Sequence, residues 1–535
     1  MDGSPCTAPL RHDRIFAAGY SDFLQYFAMN YPTLQFISLK RWGEIIAAIL
    51  LYVAVVLYQG YQYGVSDQSQ ILPCIWAQDH PGAYAQDHYV QTYLNSPVNE
   101  RTIFHFLFRF LGYANPWITW LWHAFLSIAL FLAWIRIAAF FIKNAGFQWL
   151  ALALVVTLGF HTHTGSNEIY YNSVVPSLAA KALGTWALYY WLTKKQLHCS
   201  LLLLAATLLQ PLVGLQLFIL TTVATSLDYL MHRKEKAWPW KAIGIYVVLV
   251  SPWMYLLIRN NGGGDDPKTF FDIIHFRLSH HFFASAFGWQ HLLLGFGFAS
   301  LAVSFFKEKL RWFFLTAILG CIFYEIGVEW YQWPIALYTQ WWKTTIWIET
   351  FAFIAIGVYL ERLVGSRRIL NKYPILIPVL FVIAVWVYRL SGIFSFTPEY
   401  MFPWAKSVSP EVDISLKARE VTREDALFIL PIQLTAFRWY SKRSNYVDYK
   451  AMLHQEHFLK EWYARIGNIY QYGMEEQKAG FDIRNFSRYL FEEPSHMSLG
   501  YWKKLGITHF ISTAPALLDV DLIAHNGKYY IYRLR

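Results

Sequence analysis

Apolar runs of about 18–20 residues recur along this chain from residue 43 to residue 394, and they constrain its fold more than any other feature. A run of that length crosses the hydrocarbon core of a bilayer as one helix, because a helix satisfies its own backbone groups there. Eleven are read: 43–60, 117–137, 146–161, 172–193, 197–210, 212–231, 239–258, 287–305, 312–329, 343–361 and 373–394. The fifth and sixth form one apolar stretch interrupted at Gln210-Pro211. Proline lacks an N–H and clashes with the preceding turn, so two helices are expected there.

Lysine and arginine set the orientation, since they collect on the cytoplasmic side of short loops. With the N-terminus inside, the inner segments hold Arg11, Lys143, Lys194, Arg233, Lys309 and Arg367 among others. The outer loops hold only Arg101, Arg109, Arg259, Lys268 and Arg277. An odd number of spans then places residues 396–535 outside. Much of the net charge of +10 is thereby cytoplasmic loop charge, which removes the case for a nucleic-acid groove. Charged residues are 15% of the chain, against about 25% in soluble proteins, which disfavours a soluble fold. A mean hydropathy of +0.28 is nevertheless low for a chain that is membrane throughout.

The expected class is a polytopic α-helical membrane protein, N-in and C-out, with a C-terminal extracytoplasmic mixed α/β domain. Residues 1–42 read as a cytoplasmic lead-in without a cleavable signal peptide. Residues 43–395 form the membrane domain with a large first outer loop, 61–116, and residues 396–535 form the outer domain. In that last region, Ala426–Pro431, Thr508–Ser512 and Tyr529–Tyr532 look like strands, and 455–466 and 496–505 look helical. The cysteines, Cys6, Cys74, Cys199 and Cys321, match no zinc or redox spacing and imply no disulfide framework.

Candidate chemistry lies in the outer loops. Asp67, Asp79 and Asp87 sit in the first loop. A carboxylate at the bilayer edge, partly desolvated, can serve as a base or bind a divalent cation; as readily, a loop acid caps a helix or is solvated. The run IFHFLFRF, with Arg109, resembles an amphipathic helix lying in the interface. The second outer loop carries His161, His163 and Glu168, a short metal-like pattern; Glu168 also suits a partnership with Asp67. Lys181 falls inside the fourth span, where an ammonium must be paired or face a cavity, with Glu325 or Glu349 as conceivable partners. Arg277 is a candidate phosphate contact beside His280 and His281, which should diverge as neighbours on a helix. Lys343 stands just inside a tryptophan belt, able to meet a lipid phosphate or to snorkel.

One span with the N-terminus inside, a large outer loop with an early Asp, many further spans and a final outer α/β domain resemble the GT-C membrane glycosyltransferases. The similarity is greatest to uncharacterised bacterial members, in which the first loop reads Ser-Asp-Gln, then Pro, then a later Asp. Here these are Ser66-Asp67-Gln68, Pro73 and Asp87, and DALFILPIQLTAFRWYSKRSNYVDYK (425–450) is similar to the start of their outer domains. The resemblance implies a polyprenyl-phosphate or pyrophosphate sugar donor, a lipid, polysaccharide or protein acceptor, and inverting chemistry in a bacterial inner membrane. It implies that Asp67 is the base or acceptor-orienting group, with Asp87 or Glu168 as the second acid. Basic residues would hold the lipid phosphate, and Arg101, Lys181, Arg277 and Lys343 fit by position. In some members the second acid is a metal ligand, so Mg or Mn is compatible with the pattern, though no metal ligands are assigned here. The chain lacks the paired Asp-Glu of protein mannosyltransferases after the first span and the WWDYG signature of oligosaccharyltransferases. Protein N-glycosylation is thereby disfavoured.

The main rival is a transporter with a path through Lys181, Glu325 and Glu349. Against it stand the absence of repeat halves and the large terminal domain. An envelope polymerase or ligase of another fold would place its long loop late in the chain. A scaffold without chemistry is a further alternative.

Overall fold

The computed structural model describes residues 39–534 except 97, 163, 166, 232–239, 262–265, 365–376, 378, 382, 385–386, 388–398, 406–407, 485–486, 488–490, 492–495 and 516–519. The chain divides into two compact units, residues 1–47 and 48–535. Helix α1 (Leu39–Gln59) leads into the first loop, which is itself helical: α2 (Gln68–Asp79), α3 (His88–Asn95) and α4 (Thr102–Phe110). Then come α5 (Pro116–Ala138), α6 (Ala145–Thr162), α7 (Pro176–Leu192), α8 (Gln196–Leu209), α9 (Pro211–Met231) and α10 (Trp240–Asn261). Helix α11 (Pro267–Phe282) precedes α12 (Trp289–Phe305), α13 (Glu308–Glu325), α14 (Pro334–Thr339) and α15 (Thr345–Val364).

Each of the first ten apolar runs thus overlaps a helix; of the eleventh, 373–394, only residues 377, 379–381, 383–384 and 387 are described, and these are helical. The predicted break at Gln210-Pro211 separates α8 from α9, and Pro211 opens the new helix, where its missing N–H costs nothing. Gly214 on α9 lies directly against Thr207 of α8, and any Cβ there would collide with the Thr207 backbone.

Among the described residues, five helices are long and apolar enough to cross a membrane: Trp42–Gln59, Pro116–Ala138, Pro211–Met231, Trp240–Asn260 and Glu308–Trp330. Ala145–Gly159, Gln196–Leu209 and Trp289–Phe305 are apolar but shorter. The 14 residues of α8 reach only about 21 Å at 1.5 Å per residue, short of the roughly 30 Å hydrocarbon core. Among the described residues the chain thus carries five helices with the length and apolar character of membrane spans, and three shorter apolar ones.

The loops after α1, α6, α10 and α13 meet at one end. Gln62 N–H donates to the Asn172 carbonyl at 2.8 Å and Gln68 Nε2 to the Val174 carbonyl at 3.0 Å. Asn167 Nδ2 donates to the Lys343 carbonyl at 2.8 Å. Contacts near the other helix ends are different: Asn144 N–H donates to Glu361 at 2.6 Å and Lys309 Nζ to the Trp191 carbonyl at 2.7 Å.

The C-terminal region joins the first-loop end. It contains α16 (Pro410–Val421), β1 (Leu427–Ile429), α17 (Phe437–Ser441), β2 (Ser444–Asn445), α18 (Glu456–Tyr470), α19 (Met474–Lys478), α20 (His496–Lys504), β3 (His509–Ser512), β4 (Asp521–His525) and β5 (Tyr530–Arg533). The sheet order is β2-β1-β3-β5-β4, with β1 parallel to β2 and β3, and β5 antiparallel to β3 and β4. The three expected strands and two expected helices are present. Strands β2 and β4 and helix α16 lacked a readable apolar pattern.

One hydrophobic core runs from Tyr84, Tyr89 and Val90 of the first loop, through Phe270 and Ile274 of α11, to Trp462 and Phe510 of the sheet domain. Loop and domain therefore fold against each other and not separately. Gly60, at φ 82°, makes the turn out of α1 and abuts the Glu399 backbone, leaving no room for a Cβ. Tyr61 N–H then donates to the Glu399 carbonyl at 2.9 Å, and Met401 N–H returns to the Tyr61 carbonyl at 2.8 Å.

Candidate active site

Asp67 stands at the N-terminus of α2, just after Ser66, whose φ is 53°. Its carboxylate makes no capping bond, so the helix does not consume it. Its neighbours are fixed: Gln68 is buried, donating to Val174 and accepting from Gly64 N–H at 2.8 Å. The Asp67 side chain is 51% exposed, while Lys450 Nζ of the sheet domain lies 3.5 Å from Oδ1. Surrounding protein desolvates the carboxyl and pushes it up, but Lys450 and Arg101 outweigh this and hold it below the usual aspartate range. Asp67 is thus half-exposed and yet held by neighbouring cations.

Glu168 comes to the same space from the loop before α7. Burial pushes its carboxyl up to about 7, with Lys181 opposing and the charge of Asp67 adding. Lys181 is fully enclosed on α7. Its amine donates to Asn167 Oδ1 at 3.2 Å and to the Glu168 carbonyl, and it lies 4.6 Å over the Tyr171 ring. Lys181 thus fastens the loop that carries Glu168. Asn167 joins this lysine to the backbone of Lys343, whose own ammonium feels Asp67, Arg101 and Glu100. Arg101 donates to Gln70 Oε1 at 3.2 Å and to the Tyr89 hydroxyl at 3.0 Å, with Glu100 at 3.7 Å.

The structure therefore brings together Asp67, Glu168, Arg101, Lys181 and Lys343. It does not bring Asp87 or Arg277 to them. Asp87 is fully buried, caps α3 through Val90 N–H, pairs with Arg438 at 2.7 Å and accepts from Asn445 N–H at 2.9 Å. Both of its oxygens accept from structural donors, so it acts as a buried anchor. Arg277 spends its Nε on the Tyr449 carbonyl at 2.7 Å and stacks on that ring at 4.4 Å. Asp79 is likewise engaged, with Arg109 at 2.5 Å and the Tyr113 hydroxyl at 2.7 Å, and so ties α4 to α2.

Sequence reasoning missed Lys450, Asn167 and Glu100, and it named His281 without a role at the site. Lys450 belongs to the sheet domain, far along the chain from the outer loops of the membrane domain, and no local pattern marks it. Burial drives the His281 ring down to about 3, with His280 and Lys343 adding, and the neutral ring donates from Nδ1 to the Gly165 carbonyl at 3.3 Å. His280 and His281 do not diverge as a regular helix requires. A kink at Leu278 (φ −122°, ψ 21°) brings their rings to 4.1 Å.

His163, and the side chain of His161, lie outside the described residues. Among the described residues no group of three or more His, Cys, Asp or Glu is gathered as metal ligands. Asp67 already faces Lys450 and Arg101, a cationic setting that does not fit a divalent ion. The transporter path also loses its first member: Lys181 is committed to Asn167 and Glu168, while Glu325 accepts from the Trp342 indole at 3.0 Å.

A domain of unknown function, DUF6798, matches residues 410–469, a stretch that includes Arg438 and Lys450. No curated protein matches the chain. Among solved structures, the chain is similar to ArnT from Cupriavidus metallidurans bound to undecaprenyl phosphate, at 14% identity and a TM-score of 0.39. That match covers 92% of this chain and 97% of the other. The same protein in the apo state matches at 13% identity and a TM-score of 0.39, covering 97% and 98%.

Proposed function

We propose that the chain is a membrane glycosyltransferase that moves a sugar from a polyprenyl-phosphate-type donor to an acceptor at the end of the bundle where the sheet domain sits. The observation that carries this reading is the convergence of a half-exposed, cation-held carboxylate, Asp67, with Glu168, Arg101 and Lys343 at the edge of apolar helices. In this reading the N-terminus is cytoplasmic, eleven crossings bring the sheet domain outside, and the membrane is the bacterial inner membrane.

The chemistry follows from the groups. The ionised Asp67 takes or orients the proton of the acceptor hydroxyl. The hydroxyl oxygen attacks the anomeric carbon from the face opposite the phosphate, and the carbon–oxygen bond to the phosphate breaks with its electron pair leaving on the phosphate. Anomeric configuration inverts. Arg101 and Lys343 offset the charge that develops on the departing phosphate. Lys181 keeps Glu168 in place, and burial, by raising Glu168 to about 7, makes its surroundings less negative for an anionic donor than an ordinary carboxylate would. No step calls on a metal.

Asp67→Asn tests the reading, because it keeps the size of the side chain and removes the base. Transfer of a radiolabelled sugar from a polyprenyl-phosphate donor should fall by about 10²–10⁴-fold, with unchanged expression and thermal unfolding. Undiminished transfer in that variant rejects the mechanism.

A further inference from the structure

Lys450 reaches Asp67 from a different part of the chain, and the segment that carries it is held with unusual care. Its amine lies 3.5 Å from Asp67 Oδ1 and donates to Ser66 Oγ at 3.1 Å. Its own N–H donates to Asp448 Oδ1 at 2.8 Å, and Asp448 Oδ2 accepts from Arg438 Nη1 at 3.0 Å. Arg438 in turn grips Asp87 of the first loop, with side chains 2% and 0% exposed. Arg277 holds the Tyr449 carbonyl from α11, and Trp462 Nε1 donates to the Asp448 carbonyl at 2.9 Å. A surface lysine commonly loses its ion pair to side-chain entropy. Here the backbone next to the lysine is fixed from three directions, and a hydroxyl takes a second donor.

The groups that act on Asp67 are Lys450, Arg101 on the first loop, His281 on α11, Lys343, and Glu168 and Tyr171 before α7. Arg101 is committed to Gln70, Tyr89 and Glu100, and the His281 ring to Gly165. Among the described residues, Lys450 is the cation in ion-pair contact with Asp67.

We propose that Lys450 is a positioning residue lent by the sheet domain: it keeps Asp67 ionised and fixed in direction, so that the site is complete only with that domain. This rests on the reading of Asp67 as the working carboxylate. It makes the domain a component of the site and not merely a cover over it.

The test is peptide-resolved carbodiimide labelling of Asp67 across acidic to neutral pH, on the full chain in detergent micelles. Carbodiimide attacks protonated carboxyls, and the half-exposed Asp67 is open to it. In Lys450→Met the labelling midpoint should rise by about one pH unit or more, and Lys450→Arg should restore it toward wild type. An unchanged midpoint in Lys450→Met overturns the proposal, as does an equal rise in Lys450→Arg. Should Lys450→Met fail to fold, Ser66→Ala frees the amine while keeping the charge; a rise of the same sign is then expected, and no rise overturns the proposal. The labelling needs neither donor nor acceptor. Its failure is therefore distinct from a failure of sugar transfer, which Asp67→Asn reports on its own.

Discussion

Two carboxylates, Asp67 and Glu168, feel each other's charge, and their surroundings drive them apart. Asp67 is held below its usual range by Lys450 and Arg101, while burial lifts Glu168 to about 7. Such a split assigns roles: one group is charged at neutral pH and the other is poised to carry a proton. The sign of the pH dependence follows. Below about 7 Glu168 is neutral; as pH rises through that value it becomes an anion beside Asp67 and the donor phosphate, and transfer should decline. In Glu168→Gln that decline should vanish from the rate–pH profile, and a profile identical to wild type would remove Glu168 from the site. At this scale the sequence was legible for acids and opaque for their partners. Asp67 and Glu168 could be named from loop position, because acids at a membrane edge are few. Asp87 looked equivalent, and only its distant partner Arg438, 351 positions away, shows that its charge is already matched.

Among the elements, α3 and the segment from β2 to Lys450 form a joint between the first loop and the sheet domain. Asp87 both caps α3 and pairs with Arg438, so its removal leaves a buried guanidinium with one fewer partner. Asp87→Ala should lower unfolding stability by about 3–5 kcal/mol, seen as a reduced midpoint in thermal or denaturant unfolding. A loss under about 1 kcal/mol would contradict the buried-pair account. Helices with long apolar runs were readable from sequence, as was the Pro211 break, since both depend on local chemistry. The strands of the sheet domain were readable where apolar runs were strong, as in Leu427–Ile429 and His509–Ser512. The two-residue β2 was not, because two residues carry no pattern; Asn445 within it donates its N–H to Asp87 of the distant first loop. The kink at Leu278 was equally invisible, having neither Pro nor Gly to announce it.

For the whole molecule, the loops after α1, α6, α10 and α13 gather with the sheet domain at one end. Lys143, Lys194 and Arg362 belong to the segments assigned to the opposite, cytoplasmic side. In a background with the native cysteines replaced by serine, Lys528→Cys on the sheet domain should react with an impermeant maleimide in intact cells. Lys194→Cys should react only after permeabilisation, and the reverse pattern would contradict the orientation. The central claim is that this assembly forms a covalent bond and does not merely pass a solute. It is tested most directly with the purified chain in proteoliposomes, given a polyprenyl-phosphate donor with a radiolabelled sugar and an envelope extract as the acceptor source. The account predicts label on a new covalent product, with free polyprenyl phosphate released in equal amount. Label crossing the bilayer on an intact donor, with no such product, would contradict it.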